Sequence, residues 1–236
     1  FGSTLLVSLV ILLIAGACRP APNDGASAPA GDRGFENKGS DTMVNLALAW
    51  AEAYARVRPD VRISVTGGGS GTGIAALLNG TVDIANASRA LSEEELAAAK
   101  AGGSEARQHT VALDAIAVVV NPSNPVDALT IQQLSDIYTG RITNWREVGG
   151  EDRPIVLLSR ESTSGTYVYF LETVVRQGKK ESKDLFSPNA LLMPSSEGIS
   201  NEIRQNLNAI GYDGLGYVTA DQKVIAVAAH AGEDYI

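Results

Sequence analysis

The chain has 236 residues, with 19 basic and 27 acidic side chains and a formal net charge of −8, a length suited to one large domain or two small ones. Hydrophobic residues at 44% are enough for a packed core, and the acidity with only 6% aromatics excludes the basic, ring-lined surface of a nucleic-acid binder. One cysteine and two histidines exclude an intrachain disulfide and speak against a Cys/His metal site.

Leu5 to Ala17 is almost unbroken apolar sequence. It is shorter than the roughly 20 residues a spanning helix needs and has the length of a secretory-signal core. Ala15-Gly16-Ala17-Cys18 is similar to a bacterial lipobox, whose cysteine is lipidated and becomes the mature N-terminus. The alternative is a cleaved signal with an incidental cysteine. Residues 1–18 are therefore read as a signal peptide with lipidation at Cys18. Residues 19–34 (RPAPNDGASAPAGDRG) lack periodicity and read as a flexible tether. The globular part is expected from Phe35.

Met43, Leu46, Ala47, Trp50, Ala51, Tyr54 and Val57 recur at three- and four-residue intervals, the apolar stripe of a helix that Pro59-Asp60 ends. Val61, Ile63 and Val65 alternate with Arg62 and Ser64 as a strand. The GGGSGTG segment, Gly67 to Gly73, reads as a loop, followed by a short helix from Ile74 to Leu78 and a strand at Val82 to Ala85. Ser92 to Glu95 and Thr130 to Gln133 match capping boxes that open helices. Between them Thr110 to Asn121 reads as a long strand interrupted by Asp114. Ile155 to Ser159 is a buried strand, Tyr167 to Val175 and Ile199 to Ile210 are helices, and Leu215 to Thr219 is a last strand. Strands alternating with helices predict an α/β fold.

Three clusters of glycine with hydroxyl residues stand where the chain enters a helix: Gly39 to Thr42, Gly69 to Gly73, and Ser164 to Thr166. Serine and threonine are ordinary N-caps. Helix starts also offer unpaired N–H groups and a positive dipole end, so each is a potential anion cradle. Arg160, just upstream of the third cluster, carries a planar fork of donors suited to oxyanions. The glycine loop satisfies neither G-x-G-x-x-G nor the P-loop pattern, and Ser70 lacks the second glycine of G-x-S-x-G. No enzyme, cofactor or metal site is expected.

GSDTM at 39–43, GGGSGTG at 67–73, DIANASR at 83–89, TNW with EVGG at 143–150 and SRESTSGT at 159–166 together resemble the substrate-binding lipoprotein of the bacterial phosphate ABC transporter. The match runs in order from about Lys38 to Thr219. The resemblance implies an α/β periplasmic-binding-protein fold, two lobes joined by crossover strands with the anion in the cleft. By motif position it implies phosphate ligands at Ser40, Thr42, Ser70, Ser88, Arg160, Ser164, Gly165 and Thr166. It further implies lobe 1 at 35–113 plus 211–236 and lobe 2 at 114–210.

Two departures stand out. Better-known members carry an Asp where this chain has Arg89, an acceptor for the proton of hydrogen phosphate. Asp114 is nominated as the replacement acceptor, with a turn-capping role as its alternative, and Arg89 is a second candidate for direct contact. Members of the family also continue past the position of Ile236, so the C-terminal part of lobe 1 reads as truncated. The expected function is extracytoplasmic capture of inorganic phosphate by a monomer, tethered to the membrane through Cys18, for delivery to an ABC permease. The alternatives are another oxyanion, such as sulfate or molybdate, or a membrane-anchored phosphate sensor.

Overall fold

In the computed structural model, residues 33–103, 106–230, 232 and 234 are described. The signal segment, Cys18 and residues 19–32 of the expected tether lie outside them.

The first lobe is built from β1 (Arg33–Gly39), β2 (Val61–Thr66) and β3 (Ile84–Asn86), with α1 (Val44–Val57), α2 (Ser70–Leu78) and α3 (Glu93–Ala101). Its sheet has the order β2-β1-β3 and is wholly parallel. All three strands therefore deliver their carboxyl ends to one edge, where ligands of open α/β sheets collect. The loops at that edge hold Ser40 to Thr42, Gly67 to Gly69 and Ala87 to Arg89.

Three expectations change here. The glycine segment is not loop throughout, because α2 begins at Ser70. The tether ends earlier than expected, since β1 starts at Arg33. And the apolar stripe of α1 is not covered: only Ala47 is buried, while Leu46, Trp50, Tyr54 and Val57 are exposed. A three-stranded sheet is too narrow to cover that whole face.

The second lobe holds β4 (Ile116–Val120), β5 (Ala128–Thr130), α4 (Ile131–Tyr138), β6 (Val156–Arg160), α5 (Gly165–Phe170), β7 (Leu191–Met193), α6 (Ser196–Gln205), β8 (Ala209–Gly214) and β9 (Lys223–Ala228). The helix begun by α5 continues as a π-helical stretch, Leu171–Val175. The sheet order is β5-β9-β4-β8-β6-β7. Alternate residues of its strands bury opposite faces. Val118, Val120, Leu157, Ile210 and Tyr212 meet α4 and α5 on one side. Ala117, Val119, Leu158 and Ala209 meet Ile199 and Ile203 of α6 on the other. Phe170 stacks on Tyr212 at 3.8 Å with the rings 8° apart. Each such buried ring contributes about 1.5–3 kcal/mol.

Both expected capping boxes form: Ser92 Oγ accepts from Glu95 N–H, and Thr130 Oγ1 from Gln133 N–H. Other boundaries move. The strand expected from Thr110 starts only at Ile116, where pairing with Gly214 begins, and Val111 to Asp114 are exposed. The helix expected to reach Ile210 stops at Gln205, and Ala209–Gly214 is instead the fully buried strand β8. Leu215–Tyr217 is a 3-10 turn rather than a strand. Finally β8 and β9 both pair with β4. Residues 211–228 thus run with the second lobe, where the sequence reading had placed them with the first. The reason is β-pairing: Lys223 to Ala228 fills the gap between β4 and β5.

Candidate functional site

β6 is parallel to both β7 and β8, so Arg160, the Pro194–Ser196 turn and the Asp213-Gly214 end share one edge of the second sheet. This edge meets the carboxyl edge of the first sheet. Thr42 Oγ1 lies 3.0 Å from Thr166 Oγ1 across the junction. Gly71 N–H donates to Thr163 carbonyl at 2.9 Å.

Ser70 is fully buried, and its Oγ accepts from Ser88 N–H at 3.0 Å while lying 3.2 Å from Ser88 Oγ. Gly165, first residue of α5, faces this pair. A Cβ there would stand 2.7 Å from Ser70 Oγ and closer still to Ser88 Oγ. Ser164 caps α5, its Oγ accepting from Tyr167 N–H. Helix starts leave N–H donors without intrahelical partners, so the Gly165 and Thr166 amides belong to the donor set of this junction. Ser40 is buried beside it, with its N–H on Asn86 carbonyl at 2.9 Å. Seven of the residues expected from the sequence, Ser40, Thr42, Ser70, Ser88, Ser164, Gly165 and Thr166, thus gather at one inter-lobe junction.

Arg160 is 1% exposed. Its Nη1 donates to Ser196 Oγ at 3.0 Å and lies 3.6 Å from Asp213 Oδ1, and its Nη2 donates to Asp41 Oδ2 at 3.1 Å. Its Nε is buried with no partner among the described residues. An unsatisfied buried donor costs about 1–3 kcal/mol, which an anion oxygen would recover. Burial, outweighing the Ser196 hydrogen bond and the charge of Arg160, raises the Asp213 carboxyl above its ordinary value.

Two expected residues are held by other partners. Arg89 Nη1 and Nη2 form a bidentate pair with Glu95 at 2.7 and 2.8 Å, Nη2 also lies 3.7 Å from the point a Gly71 Cβ would occupy, and Nε is buried with no partner among the described residues. That pair holds the Glu95 carboxyl below its usual range. Asp114 is exposed, and its Oδ1 accepts from the adjacent Ala115 N–H at 2.8 Å. Its other oxygen is nevertheless at the rim. Asp114 Oδ2 and Thr42 Cγ2 lie 2.7 and 2.8 Å from the point a Gly214 Cβ would occupy.

Sequence reasoning missed Asp41, Thr163, Ser196, Asp213 and Tyr217. Asp41 could have been found, since it sits inside the GSDTM cluster as the acidic residue of a first helical turn. Ser196 and Asp213 reach Arg160 only through the pairing of β6, β7 and β8, which leaves no local signal.

Residues 25–234 match the PBP superfamily domain. The phosphate-binding protein PstS of Pseudomonas aeruginosa is 36% identical over 211 residues, covering 84% of this chain and 64% of that protein. The chain therefore spans a little under two thirds of that relative's length. PstS of Bacillus subtilis is 33% identical over 231 residues, 95% of this chain and 73% of that protein. Among solved structures, a candidate phosphate ABC transporter substrate-binding protein with bound phosphate from Clostridium perfringens superposes with a TM-score of 0.75 at 36% identity, covering 84% of this chain and 76% of that one.

Proposed function

The chain belongs to the PBP superfamily, and from that premise we propose that it captures inorganic phosphate between its two lobes and hands it to an ABC importer. The observation that carries the reading is the junction itself: hydroxyls of Thr42, Ser70 and Ser88 from one lobe meet the α5 start from the other, and Arg160 reaches across to Asp41.

Phosphate gives up a large hydration energy on burial, so each oxygen needs replacement donors. Fixed hydroxyls, the Gly165 and Thr166 amides and the Arg160 fork supply them, and charge-assisted bonds are about twice as strong as neutral ones. No bond in the ligand is broken, and the work is capture and release. With both lobes contributing donors, closure buries the anion and creates a surface that a permease can distinguish from the open form. Asp114, at the rim beside Thr42, is the acceptor for the proton of hydrogen phosphate, which sulfate lacks. Lipidation at Cys18 would hold the working part at the outer face of the membrane. Among the described residues no helix is long and apolar enough to cross one.

Calorimetric titration with phosphate, sulfate and molybdate tests the reading. Phosphate is expected to bind tightest, and Arg160→Ala to weaken it more than about tenfold, or 1.4 kcal/mol. Asp114→Asn is expected to narrow the preference for phosphate over sulfate. A preparation that takes up none of the three anions, or an Arg160→Ala variant with an unaltered Kd, refutes it.

A further inference from the structure

Asp41 is contacted from both sides of the junction. Its Oδ1 accepts from Gly68 N–H at 3.0 Å, within the first lobe. Its Oδ2 accepts from Arg160 Nη2 at 3.1 Å, and its backbone carbonyl from Tyr217 O–H at 2.9 Å, both from the second lobe. The carboxylate is boxed in: a Cβ at Gly67 would overlap Asp41 Oδ1. The far side of the same guanidinium is fixed inside the second lobe, where Nη1 donates to Ser196 Oγ and Ser196 Oγ donates to Asp213 Oδ1 at 2.8 Å.

We propose that Asp41 is a positioning residue, a clasp that ties the first lobe to the Arg160 guanidinium and favours the closed arrangement before any anion arrives. The proposal rests on the reading of Arg160 as an anion ligand. Donors for the anion come from both lobes, so the apparent affinity is scaled by the fraction of molecules already closed. A carboxylate beside an anion site should by simple Coulomb repulsion weaken binding. The clasp predicts the opposite sign. Removing the charge lowers the closed fraction and loosens the Arg160 fork, so affinity falls even though a negative charge has gone.

The test uses Asp41→Asn, which keeps an acceptor for Gly68 N–H, and Tyr217→Phe, which leaves the carboxylate in place and removes the second bond Asp41 makes to the other lobe. Each is titrated with inorganic phosphate in a calorimeter. Each also carries spin labels at the exposed positions Arg56 and Lys180, in a Cys18→Ser background, so that the inter-lobe distance distribution is read with and without phosphate. The expected result for Asp41→Asn is a Kd raised about tenfold, with longer distances in the anion-free protein that phosphate restores to the wild-type distribution. Tyr217→Phe should move both readouts the same way by less. Asp41→Asn binding phosphate as tightly as wild type or tighter, with an unchanged anion-free distribution, overturns the clasp and leaves the phosphate reading standing. A wild type that binds no phosphate overturns the phosphate reading, and the anion-free distances then decide the clasp on their own.

Discussion

Gly165→Ala separates the site from the fold. Gly165 is the first residue of α5, and a methyl there would stand 2.7 Å from Ser70 Oγ, closer to Ser88 Oγ, and 3.3 Å from the Ser88 carbonyl carbon. Both hydroxyls end short rotatable side chains and can swing away. An off-rotamer serine costs about 0.5–1.5 kcal/mol, and replacing glycine by alanine in a helix returns up to about 1 kcal/mol. The fold should hardly register the change. The site should, because each hydrogen bond to a charged partner contributes about 1.5–3 kcal/mol. Displacing two weakens binding by about 3–6 kcal/mol, which is at least about a hundredfold in Kd. Calorimetric titration with phosphate, paired with thermal unfolding, reads both quantities. A Kd within about threefold of wild type at an unchanged Tm would mean that Ser70 and Ser88 do not face the ligand.

Gly69→Ala should be the opposite case, because φ +87 strains any residue that carries a Cβ, whether or not the Thr163 carbonyl oxygen of the facing lobe, 2.8 Å from that atom, moves away. Urea unfolding is expected to show a loss of about 1–3 kcal/mol, and a variant as stable as wild type refutes the left-handed backbone at Gly69. Arg89→Ala should change the phosphate Kd by less than about threefold, since its fork is held by Glu95. The same variant should lose stability at neutral pH, with a deficit that closes on acidification: the lowered Glu95 carboxyl stabilises the fold above its ordinary value of 4.5, and that contribution disappears as pH falls through the folded-state value. Asp213 runs the other way. Its raised carboxyl binds a proton more tightly folded than unfolded, so its contribution grows as pH falls from neutral toward 3.8. The stability difference between wild type and Asp213→Asn, measured by urea unfolding at successive pH values, should move in favour of wild type on acidification; a difference independent of pH counts against it.

What the sequence disclosed, and what it hid, follows the range of the interactions. Capping is local, so Ser92 with Glu95 and Thr130 with Gln133 were legible from spacing alone, and both form. Hydroxyls far apart in sequence were nominated together through the ordered motifs of the resemblance, and the parallel β1, β2 and β3 bring those of the first lobe to one edge. Strands whose identity depends on a distant partner were misread. Ala209–Gly214 follows a helix and its apolar residues extend that helix's period, yet pairing with β4 and β6 makes it a buried strand. Lys223–Ala228 pairs with β4 and β5 for the same reason, which places that strand in the second lobe.

The same distinction explains how a chain of net charge −8 can hold an anion. Arg160 looks, from the sequence, like a free cation beside a hydroxyl cluster. In the fold its guanidinium lies between two carboxylates, Asp41 at 3.1 Å and Asp213 at 3.6 Å, so little net positive charge remains to attract phosphate from a distance. Long-range attraction is screened within about 8 Å at physiological salt in any case. What remains is short-range and directional: buried hydroxyls, helix-start amides and a guanidinium whose orientation is fixed from both ends. Affinity built this way should depend on geometry far more than on ionic strength. A phosphate Kd that rises steeply with added potassium chloride would therefore contradict the account of the site, whichever anion it prefers.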